Sequence, residues 1–274
     1  MSPFLNKLLT VVRKNNSLVC VGLDPDPDRF PEPLKNSRDA IYDFNRAIIE
    51  QTADIVCAYK LNLAFYEVQG PAGLEAMERT IRDIPKDVVV LGDAKRGDLD
   101  NTARMYARAL FDHYGFDAAT VNPYQGRDSV QPFLDYRDRG VFILCRTSNA
   151  SAREFQDLTV NGHPLYVEVA KAVQAWNDYG NAGLVVGATS AESLTSIRDA
   201  APGLPLLIPG IGAQGGDLAS VIRLGADKHG EGLLINASRS ILYASSGADF
   251  AQAARRAALA LRDEINTLRE KRKV

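Results

Sequence analysis

The feature that most constrains this chain is an alternation repeated from end to end: short apolar, β-branched runs separated by longer segments with helical periodicity. Candidate strands fall at 18–23, 55–59, 88–92, 118–121, 141–145, 184–186, 206–208 and 233–235. Runs such as VVVL and VFILC are apolar without a break, which suits parallel strands covered on both faces rather than strands with one wet face. Helical patterns occupy 40–51, 74–82, 102–113, 166–179, 191–200 and 217–224. A further helix is expected at about 2–14, and a closing one at about 248–270 with a basic last turn that complements its dipole. Eight strand–helix units in 274 residues predict an α/β protein, a single (β/α)8 TIM-barrel domain over 1–274, because that fold takes about 250 residues. An open doubly wound sheet is the alternative, but its usual GxGxxG turn is replaced here by GLDPDPDRFP.

Charge and composition narrow the partners. Lysine plus arginine (32) nearly balance aspartate plus glutamate (34), leaving −2, so neither nucleic acid nor a membrane surface is an expected partner. No apolar run approaches about 18 residues, and the start MSPFLNKLLTVVRKNN lacks a signal-peptide core, which predicts a cytoplasmic protein. Cys20, Cys57 and Cys145 lie inside apolar runs without CxxC spacing and are expected as buried thiols. His113, His163 and His229 are expected at a helix end and in loops, with no metal-ligand spacing, so no metal is expected. Trp176, on a helical apolar stripe, reads as core or interface.

In a barrel the chemistry gathers at the C-terminal ends of the strands. Strand one ends at Asp24, strand two at Lys60, and strand three at Asp93, followed by Lys95 and Asp98. Asp93 and Lys95 are two apart, so in extended chain both point the same way, while Gly97 lets the chain turn before Asp98. Two cations and two anions at one barrel mouth form an alternating array that needs a reason. The fifth strand runs into Arg146-Thr147-Ser148-Asn149. After the seventh comes PGIGAQGGD (209–217), with Gln214 and Gly215 in a glycine-rich turn before a helix. Such turns bring backbone N–H groups close to an anion, and barrels frequently bind phosphate with the loops after strands seven and eight. Arg239, one strand later in NASRS, is placed to close on the same phosphate.

These segments together resemble orotidine 5′-monophosphate decarboxylase, specifically the bacterial branch whose third strand ends in DAKRGD. The matching stretches are VGLDPD (21–26), AYKLNLAFYE (58–67), GDAKRGDLDNTA (92–103), TVNPYQGRDS (120–129), LCRTSNASAREFQDL (144–158), PGIGAQGGD (209–217) and NASRSILYAS (236–245), in the expected order along most of the chain. The resemblance implies a cofactor-free conversion of orotidine 5′-monophosphate to uridine 5′-monophosphate, the last step of de novo pyrimidine biosynthesis. It implies Lys95 as proton donor to pyrimidine C6, Asp93 facing the departing carboxylate, and Lys60 between Asp93 and the ribose hydroxyls. Asp24 would bind a ribose hydroxyl and Ser148 the pyrimidine edge, while Gln214, on a closing loop with Gly215, and Arg239 would hold the phosphate. Asp98 and Thr102 would reach into a partner subunit's site, which implies a homodimer. One departure is Asn149-Ala150, where the family more often has Asn-Pro, and it bears on the shape of that loop.

Elementary chemistry is consistent with that reading. Breaking the carbon–carbon bond leaves an electron pair on a ring carbon with no adjacent electron sink, so the protein must stabilise it electrostatically. An ammonium held charged by a neighbouring carboxylate can do this and deliver the proton. Repulsion between Asp93 and the substrate carboxylate, about 4 kcal/mol at 4 Å and an effective dielectric of 20, is the smaller contribution. A metal-dependent sugar-phosphate decarboxylase or aldolase of the same superfamily is the nearest rival, but those relatives carry a carboxylate where this chain has Lys60. A Schiff-base aldolase is disfavoured because flanking carboxylates keep lysine protonated. A non-catalytic nucleotide-phosphate binding protein would be expected to have lost part of the charged tetrad.

Overall fold

The continuous apolar runs form a closed parallel barrel. The computed structural model describes residues 1–188, 191–211 and 217–272. The barrel strands are β1 (Val19–Leu23), β2 (Ala58–Asn62), β3 (Val89–Arg96), β4 (Ala118–Val121), β5 (Gly140–Arg146), β6 (Ala182–Val186), β7 (Leu206–Pro209) and β8 (Leu233–Ala237). Each pairs in parallel with its neighbours in sequence, and β1 closes on β8 through Val19↔Ile235 and Val21↔Ala237. Residues 19–23, 118–121, 182–186 and 233–237 are buried throughout, as strands sandwiched between a filled interior and an outer ring of helices should be.

The helices are α1 (Pro3–Lys14), α2 (Ala40–Thr52), α3 (Leu63–Glu67), α4 (Gly70–Asp83), α5 (Asp100–Arg108), α6 (Arg127–Leu134), α7 (Leu165–Trp176), α8 (Ala191–Ala200), α9 (Leu218–Ser220), α10 (Arg239–Leu242) and α11 (Phe250–Lys271). Short π-helical segments, Ala109–His113 and Val221–Gly225, continue α5 and α9. Ser2 caps α1 by accepting the Leu5 N–H, with Pro3 at the first helical position. α1 seals the strand-entry end: Phe4 meets Phe142 edge-on at 6.0 Å, Lys7 pairs with Asp117 at 2.6 Å, and Arg13 grips Glu231 through two hydrogen bonds of 3.0 and 2.9 Å. At the other end of the chain, α11 lies along α2, and Arg255 holds Asp54 through two bonds of 2.6 and 2.8 Å. Its basic end does more than complement a dipole, because Arg269 donates to the Gly230 carbonyl and Arg272 to that of Ala226.

Several expectations are displaced. The second strand is Ala58–Asn62 rather than 55–59. The apolar residues Ile55, Val56 and Cys57 are buried, but they lead into the strand, and the ladder runs on through Lys60. α6 was not expected, because Pro132 stands inside it and removes one helical N–H. His163 lies not in a loop but in a two-residue strand, His163–Pro164, paired antiparallel with Thr159–Val160. Cys20, Cys57 and Cys145 are free and buried, and Trp176 is partly buried against the core. No helix among the described residues is long and apolar enough to cross a membrane.

Candidate active site

Four ions stand in a row across the mouth of the barrel. Lys60, inside β2, is only 3% exposed. Its Nζ donates to Asp93 Oδ2 at 3.0 Å and to Asp24 Oδ1 at 3.4 Å. Asp93 in turn accepts from Lys95 Nζ at 2.6 Å through its other oxygen. The sequence Asp24, Lys60, Asp93, Lys95 therefore alternates in sign from the end of β1 to the end of β3. Burial alone would pull the Lys60 pKa down, but the two carboxylates outweigh it and hold the ammonium well above its ordinary range. Burial likewise opposes ionisation of Asp93, and Lys60 and Lys95 overcome it, holding the carboxyl well below the usual range. The side chain of Asp93 is 11% exposed and that of Lys95 is 47%, so the row runs from a buried anchor to an accessible ammonium.

Lys95 reaches this position by a route that extended chain does not provide. Its φ is +47°, a left-handed conformation uncommon for a side-chain-bearing residue, and the β3–β4 register shifts between Gly92 and Arg96. Thr120 on β4 fixes the distortion: its Oγ1 accepts the Lys95 N–H at 2.9 Å and donates to Asp93 Oδ1 at 2.9 Å. Thr120 is a site residue that sequence reasoning missed. A buried threonine in a strand looks like any β-branched residue, and its position in TVNPYQ gave the only signal.

Asp98 does not join the row. It is half-buried and accepts the Leu99 N–H at 2.8 Å, so in this chain it does not hold Lys95 and Asp93 in place. Thr102 is exposed in the first turns of α5. Ser148 lies over the end of β6, where a Cβ at Gly187 would come within 2.8 Å of its backbone nitrogen, so Gly187 permits the approach. The preceding Thr147 is pinned by Gln156, which accepts its N–H at 2.8 Å and donates to its Oγ1 at 2.8 Å. Arg146 ties the same loop to Asp157 at 3.1 Å.

Beside Asp24 lies a cavity of about 210 Å³ lined by Arg29, Asn236, Ser238, Arg239 and Tyr243 among others. Gly22 makes this corner possible, since a Cβ there would fall 1.9 Å from Ser238 Oγ. Gly210, at φ +90°, turns the chain after β7 as only glycine does readily. Gln214 and Gly215 lie outside the described residues. Among the described residues no three His, Cys, Asp or Glu side chains converge as a set of metal ligands.

A parallel β/α barrel with an alternating ionic row and an arginine-lined pocket at the C-terminal ends of its strands defines a barrel enzyme class acting on a small anionic substrate. The family model described as orotidine 5′-phosphate decarboxylase / HUMPS family matches residues 17–257, and the chain belongs to this family. It is 49% identical over 268 residues to the orotidine 5′-phosphate decarboxylase of Ralstonia pickettii, covering 97% of this chain and 99% of that protein. It is 50% identical over 270 residues to that of Thermomicrobium roseum, covering 97% and 96%. Among solved structures, the Leishmania donovani OMP decarboxylase superposes with a TM-score of 0.86 at 39% identity, over 98% of this chain and 99% of that one.

Proposed function

We propose that this protein decarboxylates orotidine 5′-phosphate to uridine 5′-phosphate, with Lys95 as the group that stabilises and protonates the carbon left behind. The observation that carries the proposal is the ionic row ending on the accessible Lys95 ammonium, 2.6 Å from Asp93. As the bond from C6 to the carboxyl carbon breaks, CO2 leaves neutral and the electron pair stays on C6. The ammonium faces that developing charge and transfers a proton to it, and the resulting amine regains a proton from water through its exposed side. Asp93 sits beside the departing carboxylate, Lys60 and Asp24 take the ribose hydroxyls, Ser148 meets the pyrimidine edge, and Arg239 takes the phosphate together with Gln214 and Gly215.

The metal-dependent reading is disfavoured by the donor set. The Lys60 ammonium, 3.0 and 3.4 Å from Asp93 and Asp24, fills the space between the two carboxylates that a divalent cation would need. The test is a spectrophotometric assay of orotidine 5′-phosphate in excess EDTA. Turnover is expected to persist undiminished; turnover that vanishes in chelator and returns with added magnesium sinks the mechanism.

The second part of the proposal is a homodimer in which Asp98 and Thr102 complete the partner's site. Thr102 is exposed and Asp98 half-buried, and neither bonds to the row in its own chain among the described residues. Around them the described residues show exposed apolar side chains on segments following three adjacent strands: Leu99 and Met105 after β3, Tyr124 after β4, and Phe155 and Leu158 after β5. Such a patch at the barrel mouth suits a self-complementary interface. If sites are shared, Lys95→Ala and Asp98→Ala subunits, each nearly inactive alone, should regain up to about a quarter of wild-type activity when reassociated, because half of random dimers are mixed and each holds one intact site. Activity that stays at the sum of the two parents rejects the shared site.

A further inference from the structure

The pocket beside Asp24 contains a second guanidinium that the roles above leave unused. Arg29 follows β1 and is exposed, and like Arg239 it makes no ion pair among the described residues. It is nevertheless placed, with its guanidinium carbon stacked 4.1 Å from the centre of the Tyr243 ring. Tyr243 belongs to the turn that carries Arg239, and its backbone N–H donates to the Arg239 carbonyl at 3.2 Å. The Tyr243 hydroxyl also ties down the segment that leads to Arg29, accepting the Asp26 N–H at 2.7 Å and donating to the Asp24 carbonyl at 3.2 Å. One residue thus links the two arginine-bearing segments, after β1 and after β8, around one small cavity.

The same cavity holds a buried acceptor that the described residues do not satisfy. Asn236 is 6% exposed and lines it, and its Oδ1 has no hydrogen-bond partner among the described residues. A buried acceptor without a donor is costly unless a ligand supplies one. A phosphate dianion has no proton to give, but a sugar hydroxyl does. Two unpaired guanidiniums together with an unsatisfied buried acceptor match a phosphorylated sugar: anion at the arginines, hydroxyl at the amide.

We propose that Arg29 is a phosphate-binding residue that acts with Arg239 on the 5′-phosphate of the bound nucleotide, its reach set by stacking on Tyr243. This rests on the decarboxylase reading and adds to it a second cation supplied by the loop after β1. The test compares binding of uridine 5′-phosphate and uridine to the full chain by calorimetry, for wild type, Arg29→Ala, Arg29→Lys and Arg239→Ala, with thermal melts of each. A charged hydrogen bond lost to a phosphate weakens binding roughly 10- to 100-fold. Arg29→Ala is expected to weaken uridine 5′-phosphate within that range and leave uridine within about twofold, with Arg29→Lys between wild type and alanine. The proposal is overturned if Arg29→Ala weakens both ligands equally, which marks a structural role, or weakens neither while Arg239→Ala selects against the phosphate. Wild type that does not prefer the phosphorylated ligand instead defeats the underlying nucleotide reading.

Discussion

Lys95→Ala is expected to reduce turnover of orotidine 5′-phosphate by about 10⁴-fold or more while leaving the melting temperature nearly unchanged. The magnitude follows from the two tasks assigned to one ammonium. A preorganised group facing developing charge is worth about 10²–10³, and a positioned proton donor about 10²–10⁴. The stability side follows from exposure, because the Lys95 side chain is 47% accessible and its removal leaves no buried cavity. Binding of uridine 5′-phosphate should change only a few-fold, since the phosphate pocket lies at the other end of the ionic row. Steady-state kinetics alongside a melt would check both parts. A variant within tenfold of wild type removes Lys95 from the chemistry.

Asp93→Ala is expected to damage both activity and folding. Asp93 accepts from Lys60, Lys95 and Thr120 at 3.0, 2.6 and 2.9 Å, and its loss leaves the buried Lys60 with only Asp24, at 3.4 Å. Breaking a buried pair from one side costs about 3–5 kcal/mol, and a loosened Lys95 should lose at least about 10² in turnover. The pH dependence has a definite sign. The folded-state pKa of Asp93 is depressed, so its contribution is present above the unfolded carboxyl value of about 4 and is lost as pH falls through the lower folded value. That of Lys60 is raised, so its contribution is complete below the unfolded value of about 10.4 and is lost as pH rises through the higher folded value. The stability gap between wild type and Asp93→Ala, measured by denaturant titration, should therefore be flat from about pH 5 to 9 and narrow below about pH 4. A gap under 1 kcal/mol at pH 7 contradicts the buried-pair argument.

The barrel was legible because its strands are buried on both faces, and unbroken apolar runs record burial directly. The β2 boundary was not legible, because hydrophobicity marks what is covered and not which residues join the ladder; Lys60 is within the strand because two carboxylates neutralise it. α6 was concealed by Pro132, whose penalty the tertiary packing overrides. The site was readable as a set of charges at strand ends, but not as a geometry. Spacing alone suggested that Asp93 and Lys95 meet by pleat alternation, whereas they meet through a left-handed residue held by a hydroxyl from the next strand. Local pattern carries no record of that cross-strand contact.

The seal formed by α1 divides labour within the molecule. Lys7, Phe4 and Arg13 fasten to Asp117, Phe142 and Glu231, beside the points where the chain enters β4, β5 and β8 and a full barrel height from Lys95. Substitutions at this floor should therefore change how long the enzyme survives heating and not what it converts, whereas at the rim the buried Lys60–Asp93 pair ties the two together. Endurance is tunable at one pole of the cylinder while the chemistry at the other is left intact.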